Sequence, residues 1–264
     1  MTLDATPLSL DEAYAALRFQ LDMGVDEALA DIPSDLSVVV TAPARVPVQA
    51  ARRGEEEALS PPKPVAAVPQ VDLARITTLA DLKTAVGAMS GLALKDTAMN
   101  LVFGEGALHP PLMVIGEAPG EEEDRTGRPF VGPAGQLLEK MLAAIGFKRE
   151  DVYISNVLPW RPPGNRTPKS DEVATCLPYL MRHVELVAPR FLLLMGGPAA
   201  KALLGKEESV TRMRGLWWNY HSPGLKAEIP TLVTYHPAYL LRSPGQKKES
   251  WRDLRLLKKK IDTV

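Results

Sequence analysis

Glu117, Asn156 and His236 are the residues whose type and placement point to chemistry. Each belongs to the end of a short apolar run of strand character. Leu112–Ile115 leads into Gly116-Glu117, Val152–Val157 carries Asn156 near its end, and Thr231–Thr234 leads into Tyr235-His236. An amide offers one acceptor and two donors, a set that matches the edge of a pyrimidine, although an Asn at a strand end also caps turns. An imidazole beside a proline is well placed to donate to a developing anion, although a lone His is more often a satisfied structural group. Glu117 heads the turn Gly116-Glu117-Ala118-Pro119-Gly120, whose glycines and proline make it tight and let a ligand approach the backbone.

The loops beside these residues carry further candidates. The continuation Glu121-Glu122-Glu123-Asp124 repels phosphate, and there is no Walker-type Gly-Lys-Ser/Thr, so a nucleotide-phosphate loop is not expected. Arg128-Pro129-Phe130-Val131-Gly132 puts an aromatic ring in a Gly/Pro-rich loop, where it is either a core plug or a platform for stacking a base. The segment Arg161–Pro168 is rigid and basic. Its Arg161 and Arg166 are phosphate contacts or plain surface charge.

The elements that must position these residues follow from the hydrophobic pattern. From residue 111 onward strands alternate with helices: Gly135–Ile145, Glu172–Val187, Phe191–Met195 (a buried strand), Ala199–Leu204 and a basic helix from Lys248. Trp217–His221 reads as a strand or hairpin. Alternation of this kind predicts an α/β fold with a parallel sheet covered on both faces, in which ligands bind where the strands end. Glu117, Asn156 and His236 then converge from distant positions. Ahead of this body, Ser9-Leu10-Asp11-Glu12 reads as a capping box opening a short helix. Residues 41–70 hold seven Ala, six Pro and no aromatic residue, which predicts a flexible linker. The expected organisation is an N-terminal helical arm over 1–40, a linker over 41–75 and a domain over 76–264.

Composition narrows the class. Hydrophobic residues make up 45 % of the chain, enough for a core. No apolar run reaches the length of a membrane span, so a cytoplasmic protein is expected. The net charge of −1 hides an asymmetry: residues 1–75 carry −6 and residues 76–264 carry +5, which points the body towards a polyanion. A single cysteine, Cys176, excludes an intramolecular disulfide.

Four segments together carry a resemblance: Gly116–Gly120, Gly127-Arg128-Pro129-Phe130-Val131-Gly132, Arg161–Pro168 and His236-Pro237-Ala238. In this order and at these separations they resemble the uracil-DNA glycosylase superfamily, most closely its family 4, from Val102 to Leu257. The resemblance implies a three-layer α/β/α sandwich on a four-stranded, mainly parallel sheet. It also implies a monofunctional enzyme that hydrolyses the N-glycosidic bond of uracil in single- or double-stranded DNA and leaves an abasic site. Glu117 and His236 become catalytic, one polarising water or stabilising the sugar cation, the other donating to the uracil oxygen. Gly116, Phe130 and Asn156 bind the base. Leu240 enters the duplex as a wedge, and Arg161, Arg166 and Arg242 hold phosphates.

One departure stands out. Family 4 enzymes typically hold a [4Fe–4S] cluster on four cysteines, and the matching positions here are Met89, Leu92, Trp160 and Cys176. One thiolate cannot hold a cubane cluster. No cofactor or metal is expected, with apolar packing in its place. The missing ligands motivate an alternative, a DNA-binding or damage-recognition module without activity. The protein is expected to be monomeric, with an N-terminal arm free to contact a protein partner.

Overall fold

The computed structural model describes residues 72–263. The expected arm, its capping box and nearly all of the expected linker lie outside the described residues.

Six strands form one sheet: β1 (Glu105–Gly106), β2 (Leu112–Gly116), β3 (Tyr153–Asn156), β4 (Phe191–Met195), β5 (Trp217–Tyr220) and β6 (Ile229–Thr234), in the order β1-β3-β2-β4-β6-β5. The inner four strands are parallel, as expected, and an antiparallel strand closes each edge. The sheet therefore has two strands more than the four expected. β1 is only two residues long and carries no pattern, while the Trp217 run is the strand its aromatics imply.

Parallel strands covered on both faces need apolar residues at every position. Leu-Met-Val-Ile in β2 and Phe-Leu-Leu-Leu-Met in β4 supply them, and every residue of both strands is buried. Alternate side chains go to opposite layers. Leu112, Val114, Leu193 and Leu232 pack with Leu138 and Leu142 of α4 (Pro133–Ala143) and with Leu254 and Leu257 of α9 (Lys247–Asp262). Met113, Ile115, Leu192 and Val233 pack on the other side with Leu180 and Val184 of α5 (Ser170–Val187) and with Ala199 and Leu203 of α6 (Gly197–Leu204). This is the expected three-layer sandwich.

The remaining helices are short: α1 (Leu79–Gly87), α2 (Ala93–Thr97), α3 (Glu121–Thr126), α7 (Val210–Met213) and α8 (Pro237–Arg242). Thr78 caps α1, its hydroxyl oxygen accepting from the Asp81 N–H at 3.1 Å. Leu82 and Val86 of α1 build a third cluster beside the sandwich, together with Met89, Leu92, Leu94, Phe103, Leu158, Trp160 and Cys176. His183 of α5 is structural. Its Nε2 lies 2.8 Å from the Tyr153 hydroxyl and its ring stacks on Phe103 at 4.2 Å.

Candidate active site

Strand register brings the site together. Gly116 at the end of β2 pairs with Asn156 at the end of β3, and Met195 at the end of β4 pairs with Thr234 at the end of β6. Asn156 at the end of β3 and the turns after its neighbour β2 and after β6 therefore share the carboxyl edge of the parallel strands. A Cβ on Gly116 would lie 2.5 Å from both Asn156 Oδ1 and Phe130 Cζ, so only glycine lets these two side chains close over the strand end. Gly196, after β4, has φ +92°, and a Cβ there would come within 3.2 Å of the His236 Cβ.

Phe130 reaches this point from the loop ahead of α4. Its ring centroid lies 5.5 Å from that of His236, the planes tilted by 32°. The residue is buried and packs against the cluster that includes Leu138 and Tyr235, so it is both core plug and wall of the site. Its backbone is left-handed, with φ 51°.

Asn156 is buried, and its Oδ1 accepts no hydrogen bond among the described residues. Leaving a buried acceptor unpaired costs about 1–3 kcal/mol, so the atom is poised for a donor from outside. A cavity of about 20 Å³ beside Asn156, lined also by Phe103, Cys176 and His183, has room for about one water and not for a base.

His236 caps α8, its Nδ1 accepting from the Ala238 N–H at 3.1 Å. With Nδ1 an acceptor, a neutral ring carries its proton on Nε2, which is then a donor. Burial pushes the imidazole down to about 4, with the Arg242 guanidinium adding to the effect, so the ring is neutral near pH 7. Burial raises the Glu117 carboxyl above its ordinary value, and Arg242 opposes that rise. One exposed arginine thus acts on both groups.

The acidic run after Gly120 has a role that its charge alone does not reveal. Glu123 turns inward, accepting from the N–H of Gly120 at 3.1 Å and from those of Val131 and Gly132 at 2.8 Å each. Asp124 accepts from the N–H of Met99 at 2.8 Å and of Asn100 at 3.1 Å. The spacing of Glu123 three residues past Gly120 is the sequence signal of a residue that reaches back to its cap. Nothing in the sequence marks Arg149, which donates to the carbonyls of Pro129 and Phe130, or Glu105, its partner at 2.8 Å.

Other expected residues fall differently. Leu240 is 1 % exposed and belongs to the core under α8, so it is not displayed as a wedge; its neighbour Leu241 is 43 % exposed. At a helical turn one of two adjacent leucines faces inward, and packing chose Leu240. Arg161 donates to Asn165 Oδ1 at 2.7 Å and pairs with Glu121 at 3.7 Å. Arg166 grips Glu172 with two nitrogens, at 2.9 and 2.5 Å. Both arginines already have local partners.

An aromatic ring, an unpaired carbonyl acceptor and an imidazole thus gather at the ends of the parallel strands. The family profile described as the uracil DNA glycosylase superfamily matches residues 103–255, and the chain belongs to that family. Among its relatives, the type-4 uracil-DNA glycosylase of Thermotoga maritima is 46 % identical over 147 residues, covering 54 % of this chain and 73 % of that protein. The type-4 enzyme of Pyrobaculum aerophilum is 43 % identical over 159 residues (59 % and 80 %), and that of Archaeoglobus fulgidus 39 % over 166 residues (61 % and 82 %).

The four-cysteine cluster implied by the resemblance does not fit this chain. Met89, Leu92, Trp160 and Cys176 meet in one apolar cluster, each no more than 6 % exposed, and the chain has one thiol. Burial pushes that thiol up to about 12, so it stays protonated near pH 7. Among the described residues no three His, Cys, Asp or Glu side chains group as metal ligands. No helix there is long and apolar enough to cross a membrane.

Proposed function

We propose that the protein is a monofunctional uracil-DNA glycosylase that excises uracil from DNA in base-excision repair, without an iron–sulfur cluster. The observation that carries this reading is the buried, unpaired Asn156 Oδ1 beside Phe130 and His236. Uracil offers an N3–H to such an acceptor, whereas cytosine has a bare ring nitrogen there.

A base within a duplex is out of reach, so the nucleotide must be flipped, at a cost of a few kcal/mol. Phe130 stacks on the extruded ring and Gly116 lets it approach the strand end. His236 Nε2–H donates to the uracil oxygen that gains charge as the N1–C1′ bond breaks and its electron pair leaves with the base. Glu117 stabilises the cationic sugar or orients the water whose oxygen bonds to C1′. The proton that water loses balances the one the uracil anion takes up. No lysine nucleophile is involved, so no strand cleavage follows. Arg161, Arg166 and Arg242 meet phosphates, and Leu241 takes the wedge position. The protein works as a monomer in the cytoplasm, and its N-terminal arm is the segment available to a protein partner.

The test is release of free uracil from a uracil-containing oligonucleotide in the presence of EDTA, with iron analysis of the purified protein. Release by an iron-free protein is expected. DNA binding without release would favour a non-catalytic module and overturn the assignment.

A further inference from the structure

A bulky residue keeps a left-handed backbone only where its surroundings over-determine it. Phe130, at φ 51°, is such a residue, and charged side chains hold the peptide groups on both sides of it. Glu123 Oε1 accepts from the N–H of Val131 and of Gly132, each at 2.8 Å. Arg149 Nη1 donates to the Phe130 carbonyl at 2.8 Å, and Nη2 to that of Pro129. Arg149 is itself fixed by Glu105 at 2.8 Å and by Glu139 at 3.2 Å. Glu105 also receives Arg128 through two bonds of 2.9 Å. From the side of α4, a Cβ on Gly135 would lie 1.9 Å from the Phe130 carbonyl oxygen, so that helix seats directly on the same peptide.

We infer that Glu123, Arg149 and Glu105 are positioning residues that hold the Phe130 ring in its stacking attitude before a base arrives. None of them touches the base. The two-residue strand β1 serves to place Glu105. The inference rests on the reading that Phe130 stacks on uracil. Arginine suits the post because its planar fork reaches two carbonyls and a carboxylate together, which the single ammonium of lysine cannot do.

The test is a double-mutant cycle. Arg149→Lys and Glu105→Gln are each made in the native chain and in a Phe130→Leu chain, which fills the core but presents no ring. Uracil release and inhibition by free uracil are measured. In the native background each substitution should weaken inhibition by free uracil and slow release by about tenfold, within the range of one lost base–aromatic stack. Affinity for abasic-site DNA, which depends on phosphate contacts, should stay within about twofold. In the Phe130→Leu background the same substitutions should change nothing further, since their effect passes through the ring. No effect in the native background, or an equal loss in both, overturns the inference alone. If Phe130→Leu releases uracil as fast as the native chain, the role given to Phe130 fails and the inference with it. Glu105 lies at the partly exposed sheet edge, so its variant keeps the cycle decisive if Arg149→Lys does not fold.

Discussion

In the proposed mechanism Asn156 and His236 divide recognition and catalysis between an acceptor and a donor. An acceptor left unpaired in the apo state favours a ligand that brings an N–H and rejects one that does not, because the rejected ligand leaves it buried and unsatisfied. Asn156→Ala should therefore lower kcat/KM for uracil by about 10²-fold, measured in single-turnover release from a defined oligonucleotide. His236→Ala removes the donor aimed at the developing anion, and a loss of about 10²–10³ in rate is expected. On the same proposal His236 and Glu117 set the pH profile. His236, held near 4, stays a neutral donor throughout the neutral range. Glu117 must be ionised to act, and burial raises its pKa, so the rate should fall as pH drops through a value above the ordinary carboxylate 4.5. Glu117→Gln should lose both rate and that acid limb. An acid limb that survives this substitution would remove Glu117 from the mechanism.

Short elements deliver these residues, and how legible each was depended on how much pattern it carries. β2 and β4 were readable because a strand buried on both faces is an unbroken apolar run. β1 was not, since two residues show no period, yet its Glu105 anchors Arg149. That Glu117, Asn156 and His236 follow or end strands with aligned ends was readable because parallel strands share a direction. The inward turn of Glu123 and the left-handed Phe130 depend on contacts eight or more residues away and left no local trace beyond a cap spacing. At α8 the sequence shows two adjacent leucines and packing alone distinguishes them. Leu240→Ala should destabilise the fold by about 2–5 kcal/mol in denaturant unfolding, as a core truncation does. Leu241→Ala should leave stability unchanged within about 0.5 kcal/mol and slow excision from duplex more than from single-stranded DNA. The reverse pattern would restore Leu240 as the wedge.

For the molecule as a whole, desolvated neutral histidines tie stability to pH. Burial holds His183 at about 3 and His236 at about 4, against 6.5 in an unfolded chain. As pH falls below 6.5 the unfolded chain takes up protons that the folded one refuses. Stability is full above 6.5 and declines by about 1.4 kcal/mol per pH unit for each such histidine until the folded values are reached. Glu117 works in the opposite sense over its own window, so the clean readout is a variant. His183→Gln should flatten the fall in denaturant midpoint between about pH 7 and pH 5, and an unchanged slope would contradict the account. The apolar cluster of Met89, Leu92, Trp160 and Cys176 makes a parallel prediction: if packing replaces the iron–sulfur cluster as proposed, chelators should leave the melting temperature unchanged.

The most direct test compares single-turnover release of uracil and of cytosine from otherwise identical oligonucleotides by the native chain and by Asn156→Ala. The account predicts release of uracil alone by the native chain and a loss of about 10²-fold in the variant. Release of both bases at similar rates, or uracil release untouched by the substitution, would contradict it.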